Sequence, residues 1–250
     1  MSVINPYITK LAREFWSLAG LRFIPGCDII GAVNFILPVD IVSLSELSLC
    51  KVEEWFLARN IVVNIEADER LLHGFILTNA GRGIIFINGT DSEEERRYTV
   101  AHETAHFLQD YKIPRDKAIE KVGERISEVL DGLREPTLEE RVDGLLGSVR
   151  VKPYSHLLEK NGDGSFYSCR IYDSENDADS LAVELLAPHS EVIRRTKVGT
   201  KKISFNEFRN KCQGILIDTY RLPNDIAREY AIRLSYVAVG PPSFMEKLGF

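Results

Sequence analysis

Cysteine is scarce in this chain and poorly spaced for chemistry. Cys27, Cys50, Cys169 and Cys212 are four in 250 residues, and no two of them form Cys-x-x-Cys. Neither a zinc knuckle nor a redox pair is indicated, and the pattern reads instead as scattered, reduced, partly buried thiols. Long apolar runs are missing as well. Residues 23–44 come nearest, but Pro25, Gly26, Asp28, Asn34, Pro38 and Asp40 interrupt them, which excludes a membrane span there. The opening Met1-Ser-Val-Ile-Asn-Pro6 lacks both the basic and the apolar part of a secretory signal, so a cytoplasmic location is expected. Basic charge is not in excess either. A net charge of −6 argues against indiscriminate nucleic-acid binding by the whole surface. What remains, 44% hydrophobic and 27% charged residues, is the make-up of a globular chain able to bury a core in one or two domains.

Histidine is rare too, with 5 residues, yet two of them fall in Tyr98-Thr-Val-Ala-His-Glu-Thr-Ala-His106. On an α-helix, His102 and His106 stand one turn apart and point the same way. Two imidazoles so placed can hold one divalent metal ion, and Glu103 can take a proton from its water. Chance would give this order in roughly one such chain in a hundred or fewer. Asp91 and the capping-box pair Ser92-x-x-Glu95 predict a helix from about 92 to 111, which puts the motif in mid-helix. Gln109 and Lys112 stand where the long metzincin motif needs Gly and His, so that class is excluded. His73, His156 and His189 read as solvated or locally hydrogen-bonded rather than as ligands.

A carboxylate from a second helix is the better third ligand. Ser174-Glu-Asn-Asp-Ala-Asp-Ser-Leu-Ala-Val-Glu-Leu-Leu-Ala-Pro188 predicts a helix stopped by proline. Glu175, Ala178, Asp179 and Ala182 fall on one face, and the small alanines let a neighbouring helix come close. Glu175 can then reach the metal. Asp179, a turn later, can accept the outer N–H of a ligating histidine, which fixes its tautomer.

Together, Arg97-Tyr-Thr-Val-Ala-His-Glu-Thr-Ala-His106 and Glu175-x-x-Ala-Asp-x-Leu-Ala-Val-Glu-Leu-Leu-Ala-Pro188 resemble the ImmA/IrrE metallopeptidases, which are gluzincin-like. Leu37-Pro-Val-Asp40 and the hairpin ending Ile84-Ile-Phe-Ile-Asn88 extend the resemblance. It implies that His102, His106 and Glu175 bind the metal, one zinc per chain with manganese as the alternative, and that Glu103 is the catalytic glutamate. It further implies a regulatory protease whose protein substrate is a specific transcriptional repressor. Two departures stand out: Asp179 where the family usually has Asn, and 68 residues between His106 and Glu175, more than compact members have.

The rest of the chain predicts an α+β, zincin-like fold. Residues 6–19 read as a helix with Leu11, Phe15 and Leu18 on one face, and 39–59 continue with helical periodicity. Ile61–Ile65 is a β-branched run, and 73–79 with 83–88 predicts a hairpin around Ala80–Gly83 leading into the metal helix. The strand beside that helix would be the floor on which an extended substrate adds as another strand. A helical insertion is expected over about 112–170, from Ile119, Val122, Ile126, Val129 and Leu133 and from a Thr137/Glu140 capping box, with a turn at 160–165.

These readings give a metallopeptidase domain over 1–192 and a helical subdomain over 193–250. Between Arg194 and Arg233 the latter carries ten Lys/Arg against four Asp/Glu. Two helices, Phe205–Tyr220 and Pro223–Tyr236, resemble a helix–turn–helix, but the second presents a mixed face, which favours packing or partner docking over DNA reading. Arg194–Lys202 is the expected repressor-docking segment. The expected function is a zinc-dependent endopeptidase, with Tyr154, His156 and Tyr172 as candidate oxyanion stabilisers. The alternatives are a non-proteolytic regulator on the same scaffold and a metal-dependent amidase.

Overall fold

A computed structural model describes residues 5–20, 23–63, 65, 68–138, 140, 155–159, 173–197 and 203–242. The fold is α+β, built on a four-stranded sheet in the order β1-β3-β2-β4. Its strands are β1 (Val39–Leu44), β2 (Leu72–Asn79), β3 (Arg82–Asn88) and β4 (Ser155–Glu159). β1 runs parallel to β3, whereas β2 is antiparallel to both β3 and β4. The β2–β3 hairpin closes through Ala80 and Gly81, whose φ angles of 48° and 80° suit the tight two-residue turn that a right-twisted hairpin favours.

Side chains alternate between the two faces of the sheet with the period of two. Phe75 and Phe86 face one way and meet Leu47, Leu49, Val52 and Phe56, the last three from α3 (Leu49–Leu57). Ile76, Ile85, Ile87 and Leu158 face the other way, into the larger core. There lies α4 (Glu93–His106), started by the capping box: Ser92 Oγ accepts the Glu95 N–H, and Glu95 Oε2 accepts the Ser92 N–H at 2.7 Å. From Arg97 to His106 every residue of α4 is buried. The helix continues as a π-helical turn, Phe107–Lys112.

Among the described residues, six further helices line the same buried core as α4. They are α1 (Pro6–Leu18), α2 (Ile29–Ile36), α7 (Asp173–Leu186), α8 (His189–Lys197), α9 (Phe205–Asp218) and α10 (Asn224–Val239). The short α5 (Ile113–Val122) and α6 (Ile126–Leu130) fill the start of the insertion around Ala118, Ile126 and Val129. α7 packs along α4 through Ala178, Leu181 and Ala182, all fully buried, and Trp16 of α1 donates its indole N–H to the Leu185 carbonyl. Phe208, Leu216, Tyr220, Ala227 and Leu234 of the last helices lie in the same buried cluster as Val100 and Ala105 of α4. Arg97 fastens this junction. Its guanidinium donates to the carbonyls of Tyr220, Arg221 and Cys27, while Arg221 pairs with Glu93 and Glu94 at the head of α4. The boundary expected at 192/193 falls inside α8.

Several local readings change. Residues 39–44 form a strand, not a helix, because β-branched Val39, Ile41 and Val42 pair with β3. In α1 the buried face is Ile8, Ala12, Phe15 and Trp16, which leaves Leu18 exposed. Gly123, at φ 98°, ends α5 and splits the insertion's first helix in two. Ile61 and Val62 are exposed and lie outside any strand. The Thr137/Glu140 capping box is present. Tyr154, Tyr172, Cys169, the 160–165 turn, Lys201 and Lys202 lie outside the described residues. Cys27, Cys50 and Cys212 are free thiols, and burial pushes Cys27 up to about 11 and Cys212 to about 12. Among the described residues no helix is long and apolar enough to cross a membrane.

Candidate metal centre

His102 and His106 lie on the buried face of α4, and each has its Nδ1 tied to a carboxylate. His102 Nδ1 stands 3.0 Å from Asp179 Oδ1 on α7, and His106 Nδ1 stands 2.7 Å from Asp110 Oδ2 in the π-helical turn. Carboxylates accept, so both imidazoles carry their hydrogen on Nδ1 and direct the lone pair of Nε2 inward. The two Nε2 atoms are 3.2 Å apart. Two lone pairs that close repel each other, unless a cation lies between them. Two nitrogens bound at 2.0–2.1 Å to a tetrahedral ion are about 3.3 Å apart, so the pair fits a divalent metal.

Asp179 also accepts a 2.8 Å hydrogen bond from the Tyr98 hydroxyl, one turn before His102. Burial pushes its carboxyl up, but the bonds from His102 and Tyr98 outweigh this and hold it below its ordinary value. Burial, followed by the nearby Asp179 charge, raises the Tyr98 phenol well above its ordinary value, so it remains an O–H donor. Glu175 lies on α7 one turn before Asp179, hence on the same face, but its side chain lies outside the described residues.

Glu103 is fully buried beside the histidines, against β2 at Gly74. A Cβ at residue 74 would stand 2.5 Å from Thr99 Cγ2 and 3.0 Å from Glu103 Oε1. Only glycine lets the strand come this close. Gly74→Ala is therefore expected to displace Glu103, with a stability cost of about 1–3 kcal/mol from overpacking. Peptide turnover should fall while metal content holds. Denaturant melts alongside elemental analysis check this, and unchanged stability and turnover would show the contact to be slack.

The sequence reads His156 as solvated or locally hydrogen-bonded rather than as a ligand, and also as a candidate oxyanion stabiliser. β4 carries it into the site. His156 pairs with Ile76 across β2–β4, so both face α4. Its Nδ1 is 3.2 Å from Glu103 Oε2, and its ring stacks on that of His106 with centroids 3.8 Å apart. Potential ligand nitrogens of His102, His106 and His156 all lie within 4.8 Å of one another. His73 and His189 stay outside it: His73 is buried against Asp91, and His189 bonds Glu184.

Residues 58–128 match the family model Peptidase_M78, described as the IrrE N-terminal-like domain. That segment is an ImmA/IrrE-family domain. No curated protein and no solved structure matches the chain. The IrrE-like segment contains β2, β3 and the whole of α4, hence His102, Glu103 and His106. It ends before His156 and Asp179, which the fold, not the family match, brings alongside. Sequence reasoning did not single out Asp110 or Tyr98. The signal was available, since each stands four residues from a motif histidine on a helix.

Proposed function

We propose that this chain is a zinc-dependent endopeptidase of zincin-like build, acting in the cytoplasm on a helix–turn–helix transcriptional repressor. The observation that carries the chemistry is the pair of inward-facing Nε2 atoms, 3.2 Å apart, each backed by a carboxylate at its Nδ1. His102 and His106 would hold the ion, with Glu175 as the third ligand from α7. The ion, when bound, would supply a Lewis acid and acidify a water. Glu103 accepts the proton of the attacking water at its carboxylate and delivers it to the departing amine nitrogen. Asp179 and Asp110 keep the imidazoles in the ligating tautomer, and Tyr98 steadies Asp179.

The repressor substrate rests on the family resemblance and on charge. Arg194–Lys202 is basic on an acidic chain and would steer an acidic face of the substrate towards the protein. Arg194 and Arg195 are paired with Glu191, and Lys197 donates to the Ala238 carbonyl. The deciding experiment incubates zinc-loaded protein with a helix–turn–helix repressor encoded beside it and maps the fragments by mass spectrometry. One defined scissile bond, cut by wild type and spared by Glu103→Gln, is the expected result. An intact repressor alongside a cleaved unrelated peptide would reject the substrate but keep the chemistry.

A further inference from the structure

Strand β4 lies where an extended peptide would. Without it, β2 is the outer strand on the α4 side, and its row of N–H and C=O groups is an edge to which a peptide adds by main-chain hydrogen bonding. Residues 155–159 take that edge, antiparallel to Leu72–Leu77. They arrive from outside the hairpin, with 66 residues between Asn88, which ends β3, and Ser155. Alternation along the segment puts Leu158 into the helix-side core and Leu157 against the opposite cluster. His156 then lies over the motif histidines.

The position of His156 is the telling one. A hydrolytic metal site leaves one position to water, whereas four protein ligands make a closed, structural site. His156 brings a nitrogen to within 4.8 Å of the ligand-capable nitrogens of His102 and His106. It also engages both oxygens of Glu103, at 3.2 and 3.3 Å, the group that would otherwise meet the attacking water. We propose that residues 155–159 are a built-in occupant of the peptide-binding edge, with His156 filling the place of the water and holding Glu103 idle. This rests on the metallopeptidase reading above. The chain is then latent, and the molecule that activates it is an extended protein segment that displaces β4 from β2. Such exchange is feasible for a five-residue strand in which Leu158 is the buried anchor among the described side chains.

The test uses the full chain loaded with zinc, and His156→Ala and Leu158→Asp as variants. Both should raise turnover of a fluorogenic peptide, by about tenfold or more if the open form is a tenth or less of the wild type. A second readout does not depend on activity. Zinc should slow amide hydrogen exchange across 155–159 in the wild type and leave it unchanged in His156→Ala. With cobalt(II) in place of zinc, the visible spectrum should differ between wild type and His156→Ala, because a nitrogen gives way to water. Bound zinc with unaltered exchange, or turnover that falls in His156→Ala, would overturn the occupant and make β4 a fixed floor with a catalytic histidine. Absence of zinc from wild type and variants alike would overturn the metallopeptidase reading together with it.

Discussion

Glu103→Gln is expected to keep its metal and lose peptide cleavage by a factor on the order of 10² to 10⁴. The amide matches the carboxylate in size, so it fits beside Gly74 without repacking. It cannot take up a proton at neutral pH. The two motif histidines are untouched, because their Nδ1 atoms are held by Asp179 and Asp110 and not by Glu103. Elemental analysis should therefore report wild-type metal content in a protein that has lost turnover. Loss of metal in this variant would make Glu103 a ligand, and retained cleavage would place the base elsewhere.

His102→Ala and His106→Ala should each abolish tight metal binding, against one ion per chain in the wild type. Each removes one of two converging lone pairs and strands a carboxylate behind it. The proton competes for the same Nε2 atoms. Ligation needs both of these nitrogens unprotonated, so affinity should fall as the solution is acidified. Asp179→Ala and Asp110→Ala leave both ligands in place and free only their outer nitrogens, so a loss of roughly 10- to 100-fold is expected. Titration with a chromogenic chelator at several pH values measures all four. Full metal content in the double histidine variant would remove the site from α4 altogether.

How much of this was legible depends on how local each signal is. The capping box of α4, the one-turn spacing of His102 and His106, and the shared face of Glu175 and Asp179 are properties of single helices. Such patterns can be read without knowing what packs on what. The hairpin turn expected at Ala80–Gly83 is equally local, and the structure narrows it to Ala80-Gly81. His156 is the opposite case. Nothing in Ser155-His-Leu-Leu-Glu159 says that it pairs with β2, and a shift of one residue would turn the imidazole to the far side of the sheet. Its place depends on register between segments some eighty residues apart. Val39–Leu44 misled for a related reason: its apolar positions allow either period, and the parallel partner β3 decides. Leu18 looked like core because Leu11 and Phe15 precede it, but packing chose Ile8, Ala12, Phe15 and Trp16.

Arg97 ties the metal helix to a turn more than a hundred residues downstream, and this has a consequence for synthesis. A ribosome adding residues in order releases both motif histidines long before Asp179, Tyr220 or Arg221 exist. At ordinary elongation rates the interval is on the order of ten seconds. During it the nascent chain has His102 and His106 but neither the carboxylate that orients His102 nor the carbonyls that receive Arg97. The proposed centre can be completed only after these later residues have been made, so a nascent chain that carries the two motif histidines alone has no formed site.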